Sequence, residues 1–212
     1  MSSYNPSELI PLDGFQPRQI SEIGTLPKKI QYACGLNAFD EWLNVDFFDD
    51  ALIWNFGHIG GVPKNVAFGA YKINLLEPHP FPDNHFDYAF CEDFIEHIDQ
   101  KDAIYFLAEV LRTLKPGGVL RITTPGLHGV MAAHFNNPDL NSVIENQDAA
   151  YTRWGHVHFF SHESLKTMAL YLGFSKYHEC EYGKSWHEAL KNLETRAEQA
   201  NYKINIYAEI TK

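Results

Sequence analysis

The clearest indication of the fold class is Ile30-Gln31-Tyr32-Ala33-Cys34-Gly35, which is closely followed by Trp42-Leu43-Asn44-Val45-Asp46. The first stretch is short, mostly apolar and ends at a glycine, which predicts a buried strand that runs into a tight turn. The second stretch predicts another strand, and this strand ends on an acid. Strands of this kind belong to sheets in which ligands bind beyond the carboxyl ends of the strands.

The rest of the chain alternates predicted strands with predicted helices. Apolar residues at three- and four-residue spacing predict a helix that Asp99 caps and Lys115-Pro116-Gly117-Gly118 ends. Ser161 begins a second helix and Gly173 ends it. The predicted strands cover residues 30–34, 42–46, 66–75, 86–91, 119–124 and 202–210. This alternation predicts an α/β fold with a mostly parallel sheet and helices on both faces.

The first connection between strands is unusually short. Only Leu36 to Glu41 separate the turn from the Trp42 strand, whereas a parallel crossover normally needs a dozen or more residues. We therefore expect the first crossover helix to be shortened to a turn or two. Residues 1–28 contain four prolines and are predicted to form an N-terminal arm, followed by one domain over residues 29–212.

Composition and charge exclude several classes of protein. The 212 residues include 17 Lys and Arg against 27 Asp and Glu, a net charge of −10, and no basic stripe indicates nucleic-acid binding. No apolar run is long enough to span a membrane, and Met1 to Pro6 lack the features of a secretory signal. The three cysteines, widely spaced and odd in number, are typical of reduced thiols. These features predict a cytoplasmic, single-domain protein.

An ordered series of segments resembles the class I S-adenosylmethionine-dependent methyltransferases, and within them a compact, type 11-like subfamily. After the two opening stretches come Phe81 to Asp87, Glu92 to His97 and Leu114 to Gly118. The resemblance covers roughly residues 29–175. It implies a Rossmann-like, doubly wound sheet of seven strands with an antiparallel C-terminal strand. It also implies that a polar insertion over residues 126–160 covers the acceptor.

The resemblance implies S-adenosyl-L-methionine as the cofactor and assigns residues to it. A turn of small residues lets the backbone approach a nucleoside, and a carboxylate at a strand end can accept both ribose hydroxyls. Two further groups of residues are expected near the adenine and near the methionine part of the cofactor. The predicted cofactor residues are, in chain order, Ala33, Cys34, Gly35, Asp46, Asn74, Leu75, Cys91 and Glu92.

Three residues depart from the family pattern. Ala33 stands where the family commonly has glycine, which is unfavourable if the turn needs a positive φ. Gln31 stands where many relatives have an acid, and Asn74 where they usually have Asp. These departures also fit a second hypothesis, a binding or regulatory module that has kept the fold without turnover.

Histidines are the candidate groups on the acceptor side. The resemblance places His97, His156 and His158 near the acceptor, and His156 is our candidate for a base, since a neutral imidazole can take a proton as a methyl group moves. In an extended segment, His156 and His158 would point to the same side. The alternative interpretation is that these rings are partly buried and hydrogen-bonded to the backbone.

A metal site is not predicted. His156, His158 and His162 could ligate an ion, and this leaves a metal-dependent hydrolase as a third hypothesis, but no Cys pair or His-Glu-x-x-His spacing supports it. We expect methyl transfer from S-adenosylmethionine to an oxygen or nitrogen of a small molecule, with a sugar-like acceptor as one candidate. The sequence does not specify the acceptor or the oligomeric state.

Overall fold

The computed structural model describes residues 5–196 and 203–212, which form ten strands and six α-helices. The strands are β1 (Leu9–Ile10), β2 (Arg18–Gln19), β3 (Lys29–Tyr32), β4 (Leu43–Asp46), β5 (Val62–Pro63), β6 (Ala70–Lys72), β7 (Phe86–Glu92), β8 (Leu114–Pro125), β9 (Lys176–Glu179) and β10 (Asn205–Thr211). The helices are α1 (Asp50–Ile59), α2 (Lys64–Gly69), α3 (Gln100–Thr113), α4 (Leu127–His134), α5 (Leu140–Gln147) and α6 (His162–Leu172).

The main sheet has the order β2-β6-β4-β3-β7-β8-β10-β9. The pairs from β2 to β8 are parallel, and β10 runs antiparallel to both β8 and β9. This confirms the Rossmann-like, mostly parallel sheet with an antiparallel C-terminal strand. Seven strands come from the predicted domain, and β2, which lies in the predicted N-terminal arm, adds an eighth at the edge. Strand β1 of the same arm pairs separately with β5.

Helix limits follow the predicted capping signals. The Asp99 side chain accepts a hydrogen bond from Asp102 N (2.8 Å) at the start of α3. Ser161 caps α6, and Gly173 ends it in the left-handed conformation with φ of 109°. These ends are local interactions, which explains why the sequence predicts them well.

Two elements differ from the sequence-based expectation. The predicted strand over residues 66–75 is confined to β6, because residues 64–69 form α2, on which Val66 and Ala67 are buried. The last strand begins at Asn205, and the predicted residue Tyr202 lies outside the described residues, as do Met1 to Tyr4. The predicted insertion over residues 126–160 holds α4, α5 and a π-helical turn over Asp148–Thr152.

The two faces of the sheet bury different sets of residues, because successive side chains of a strand alternate. On one face, side chains such as Ile30, Val45 and Ile122 pack with α3 and α6 in the largest cluster of buried residues. On the other face, Phe90 and Val119 pack with residues outside regular strands. Among the described residues, no helix has both the length and the apolar character that crossing a membrane requires.

The expectation of a first crossover helix of a turn or two is wrong, because residues 33–42 contain turns and no regular helix. Buried side chains of the neighbouring strands bind its backbone instead. Asn44 accepts from Phe39 N (2.8 Å) and donates to the carbonyls of Phe39, Trp42 and Gly69 at 3.0, 3.1 and 3.3 Å. Gln31 Nε2 donates to Asn37 O (2.9 Å). Polar side chains thus satisfy backbone groups that a helix would have paired internally.

A segment near the C-terminus covers the sheet face that this crossover leaves open. Leu190 and Leu193 pack with Trp42, Phe90 and Val119. The segment is held by Arg121 of β8, which is fully buried and donates to Glu194 Oε1 from Nε at 2.8 Å. Its other nitrogens donate to the carbonyls of Lys184 (3.0 Å) and Glu181 (2.9 Å).

Candidate functional site

Asp46 and the turn after β3 lie together, as the sequence predicts. Gly35 N donates to Asp46 Oδ2 (2.8 Å) and Phe47 N donates to Asp46 Oδ1 (2.7 Å). Burial raises the pKa of Asp46, and hydrogen bonds from the backbone amides of Gly35, Phe47 and Phe48 oppose that rise. The two oxygens of a carboxylate offer about four lone-pair positions, so these three amides leave one of them free. The side chain is therefore fixed in position and still able to accept a hydrogen bond from a ligand.

The turn beside Asp46 has an unusual backbone. Ala33 has φ of 50° and Gly35 has φ of 55°, so both adopt the left-handed conformation, which is unfavourable for alanine. A Cβ built on Gly35 would meet no atom within 4 Å, so the space beside this residue is open. The Cys34 side chain is buried in a cluster that includes Phe48 and Leu52. Only the backbone of Cys34 is thus available to a ligand at the turn.

Asn74 and Leu75 follow β6 at the same edge of the sheet. Leu76 N donates to Asn74 Oδ1 (3.0 Å), and Asn74 Nδ2 donates to Glu77 Oε1 (2.9 Å). These bonds form a compact turn that stabilises the loop and leaves the second lone pair of Oδ1 for another donor. The Leu75 side chain is buried in the main cluster.

Cys91 and Glu92 lie at the end of β7. The Cys91 thiol is fully buried in the main cluster, which removes its side chain from the cleft. The Glu92 carboxylate accepts from Thr195 Oγ1 (2.6 Å) and from Thr195 N (3.1 Å). Burial raises the pKa of Glu92 to about 7, although the hydrogen bonds from Thr195 lower it. Glu92 is thus engaged with the segment that follows Leu193.

Arg196 and Asp93 form the neighbouring contact, which sequence reasoning missed. Arg196 Nη1 lies 3.0 Å from Asp93 Oδ2, whose side chain is only 6% exposed. Asp93 has φ of 49°, so the chain turns sharply after β7. No local pattern predicts this pair, since more than a hundred residues separate its members.

His97 and His156 are brought together by the fold. Their rings lie 5.0 Å apart between centroids in an edge-to-face arrangement. His97 Nδ1 lies 3.3 Å from Gly155 O, and His156 Nδ1 lies 2.7 Å from Ala150 O. Because a carbonyl can only accept, each Nδ1 carries the proton and each Nε2 keeps its lone pair. Burial lowers the pKa of both imidazoles, which favours their neutral forms.

Glu96 completes this group and was missed by sequence reasoning as a candidate, although it stands directly before His97. Its side chain is fully buried, with Oε2 accepting from Thr124 Oγ1 (3.0 Å) and Oε1 lying 3.9 Å from His97 Nε2. Its backbone carbonyl accepts from Val157 N (2.8 Å), which ties the His156 segment to the end of β7. Burial raises the pKa of the Glu96 carboxyl.

The side chains of His158 and His162 are not part of that group, although His158 N donates to Glu96 O (3.2 Å). The His158 ring packs against Phe160 at 4.4 Å between centroids, whereas the His156 ring packs against Phe159. These two phenylalanines belong to different clusters, so the two histidines do not share a side as an extended segment would require. His162 Nδ1 lies 2.8 Å from the hydroxyl of Tyr177.

Three parts of the site therefore line the carboxyl ends of the parallel strands. They are the Asp46 turn after β3 and β4, the Asn74 turn after β6, and the Glu96, His97 and His156 group after β7. In open α/β sheets this edge is where ligands bind. The first two parts offer a carboxylate, an amide oxygen and backbone groups, and the third offers neutral imidazole nitrogens and a carboxyl group.

Comparisons with known proteins find methyltransferases among the similar folds. The profile of a family described as a methyltransferase domain matches residues 60–122. A SAM-dependent methyltransferase from Archaeoglobus fulgidus matches with a TM-score of 0.53 at 16% identity, covering 91% of this chain and 89% of its own. A possible histamine N-methyltransferase from Thermotoga maritima matches with a TM-score of 0.54 at 15% identity, covering 91% and 84%.

A third similar structure contains ligands. It is a phosphoethanolamine N-methyltransferase from Haemonchus contortus in complex with phosphomonomethylethanolamine and S-adenosylhomocysteine. It matches with a TM-score of 0.52 at 15% identity and covers 94% of this chain and 50% of its own. Together the comparisons confirm the class I methyltransferase fold, and they support the sequence-based resemblance to S-adenosylmethionine-dependent methyltransferases.

Proposed function

We propose that this protein transfers a methyl group from S-adenosylmethionine to an oxygen or nitrogen of a small molecule. The observation that carries the proposal is the junction of Gly35 with Asp46 at the carboxyl ends of β3 and β4, on a class I methyltransferase fold. A fixed carboxylate with a free lone pair beside an open turn suits the ribose of a nucleoside cofactor.

The predicted cofactor residues around this junction differ in whether their polar groups are available to the cofactor. Asp46 would hold the ribose hydroxyls, the backbone of residues 33–35 would lie under the cofactor, and Asn74 and Leu75 would flank its adenine. Glu92 fits less directly, because Thr195 already occupies both of its oxygens. When bound, the cofactor supplies a methyl group on a positively charged sulfur, so the chain has mainly to align the acceptor with it.

The acceptor side of the proposal rests on His97 and His156. Both rings are held through Nδ1 by backbone carbonyls, so both Nε2 lone pairs are available to a ligand. His158, the third predicted histidine, packs against Phe160 and has a secondary place in this proposal. The insertion over residues 126–160 supplies His156 and would therefore contribute to the choice of acceptor.

Thermal unfolding with and without S-adenosylmethionine and S-adenosylhomocysteine tests the cofactor site. Ligand at 100 times its Kd should stabilise the protein by about 2.7 kcal/mol, which is a shift of roughly 5–10 °C for a chain of this size. Asp46→Asn should remove most of the shift, because the amide presents donors to the ribose where the carboxylate accepts from it. Asp49→Asn is the matched control, since Asn also caps a helix and Asp49 caps α1.

Two outcomes would contradict the proposal. One is the absence of any shift at millimolar concentrations of both compounds, and the other is a shift that Asp46→Asn leaves intact. The first outcome would favour the non-catalytic alternative, for which the left-handed Ala33 is the supporting observation. With cofactor binding established, transfer of a labelled methyl group to a panel of hydroxyl and amine compounds would identify the acceptor class.

A further inference from the structure

Glu96, His97 and His156 form a group that the cofactor site does not use. One nitrogen of each histidine and one oxygen of Glu96 all lie within 4.8 Å of one another. Two imidazoles and a carboxylate form a donor set that binds divalent transition ions in proteins. Among the described residues this is the group with such a geometry, and it differs from the set His156, His158 and His162 considered from the sequence.

The buried oxygen of Glu96 is the observation that points to a ligand. No described residue donates a hydrogen bond to Glu96 Oε1, although the side chain is fully buried. A buried carboxylate oxygen without a donor costs free energy, and a bound cation would satisfy it. The same oxygen faces His97 Nε2 at 3.9 Å.

Each of the three side chains is oriented by a further partner. Thr124 Oγ1 donates to the other Glu96 oxygen, Ala150 O accepts from His156 Nδ1, and Gly155 O accepts from His97 Nδ1. Such outer contacts are typical of metal ligands, because they fix the tautomer and leave on Nε2 the lone pair that an ion would bind. Gly155 adopts the left-handed conformation, with φ of 69°, in the turn that presents this carbonyl to His97.

We propose that Glu96, His97 and His156 bind one divalent first-row transition ion, such as Zn²⁺ or Co²⁺. Ligand atoms around a tetrahedral ion with bonds of about 2.0–2.1 Å lie about 3.3–3.4 Å apart. The ligand atoms lie up to 4.8 Å apart, so the side chains need to approach one another by up to about 1.5 Å to close on it. Three protein ligands leave at least one coordination position open, as in catalytic metal sites.

The open position gives the ion a role that rests on the proposed function. An ion at the carboxyl edge of the sheet would bind an oxygen of the acceptor and lower the pKa of a hydroxyl there. His97 and His156 would then act as ligands rather than as bases. The metal site itself stands on its own geometry, so it can be tested without cofactor or acceptor.

Metal binding should be measured on the metal-free full chain, without cofactor. We expect one equivalent of Co²⁺ to bind, with visible absorption bands that Zn²⁺ displaces, and isothermal titration with Zn²⁺ to give the same stoichiometry. His156→Ala and Glu96→Gln should each weaken binding by at least about tenfold, since even changes to outer contacts of a metal site cost that much. His158→Ala is the matched control, and its affinity for metal should be unchanged.

Circular dichroism of each variant would separate loss of a ligand from loss of the fold, and Glu96→Gln keeps an oxygen for Thr124. The absence of stoichiometric binding would overturn the proposal, and so would binding that folded His156→Ala and Glu96→Gln retain. Equal loss in His158→Ala would also overturn it, in favour of a different ligand set. A failed shift with S-adenosylhomocysteine together with intact metal binding would refute the proposed function alone.

Discussion

At the scale of single residues, Ala33 shows how a departure from a family pattern is accommodated. Its φ of 50° lies in the region where alanine is disfavoured, and the structure keeps it there beside the Asp46 carboxylate. The turn thus contains a residue for which a positive φ is unfavourable. Hydrogen bonds at both ends hold it, from Cys34 N to Val45 O (3.2 Å) and from Gly35 N to Asp46.

We expect Ala33→Gly to stabilise the protein. Relief of about 1–2 kcal/mol of left-handed strain outweighs the roughly 0.4–1 kcal/mol that the freer unfolded glycine costs, for a net gain of about 0.5–1 kcal/mol. Urea unfolding would measure it. Ala38→Gly is the control in the same crossover, where φ is not positive, and it should lower stability. An Ala33→Gly variant less stable than the native protein would contradict this account of the turn.

At the scale of elements, the first crossover shows how side chains replace a helix. Buried Asn44 forms four hydrogen bonds to the backbone of the crossover and of α2. Gln31, which stands where many relatives have an acid, binds the same crossover at Asn37. A neutral amide can both donate and accept, which suits a side chain that must bind a carbonyl inside the protein.

Asn44→Ala should destabilise the protein by about 2–4 kcal/mol, because each buried backbone group left without a partner costs about 1–3 kcal/mol. Asn65→Ala is the matched control. Asn65 donates one exposed hydrogen bond to Ala38 O (3.0 Å) in the same crossover, so its loss should cost below about 1 kcal/mol. Chemical denaturation of both variants would measure the difference, and equal losses would show that Asn44 does not hold the crossover.

At the scale of the whole molecule, Arg121 joins the sheet to the segment that replaces the missing helix. Its guanidinium is fully buried between Glu194 and Glu209, at 2.5 and 3.7 Å. The interaction links β8 to a segment more than sixty residues later in the chain. The same segment continues to Thr195, which binds Glu92, so the network connects the sheet core with the edge of the proposed cofactor site.

Arg121→Met should cost about 3–5 kcal/mol, since it leaves two buried carboxylates without their cation. Adding Glu194→Gln and Glu209→Gln should restore part of that loss. Lys184→Ala is the control, because Arg121 binds only the backbone carbonyl of Lys184. The Lys184 side chain forms an exposed ion pair with Glu181, which contributes at most about 1 kcal/mol. Thermal unfolding would compare the stabilities of these variants. An Arg121→Met variant as stable as the native chain would refute the anchoring role.

Much of the fold and part of the site follow from local sequence. Hydrophobic periodicity and caps such as Asp99, Ser161 and Gly173 set the limits of α3 and α6, because these signals act within a few residues. The prediction of a strand over residues 66–75 was mostly wrong, because apolar residues such as Val66 and Ala67 can be buried on a helix as readily as on a strand. Asp46 was predicted beside the turn because adjacent parallel strands end at the same edge.

Local sequence patterns predict the α/β class, the parallel strands and the edge at which ligands would bind, since alternation and turn residues encode these features within a few residues. Packing of distant segments brings His97 next to His156, places an unsatisfied oxygen of Glu96 beside them, and packs the His158 ring against Phe160. It also decided that Leu190, Leu193 and Arg121 cover the open sheet face. Such contacts join residues far apart in the chain, and their geometry depends on how whole elements pack.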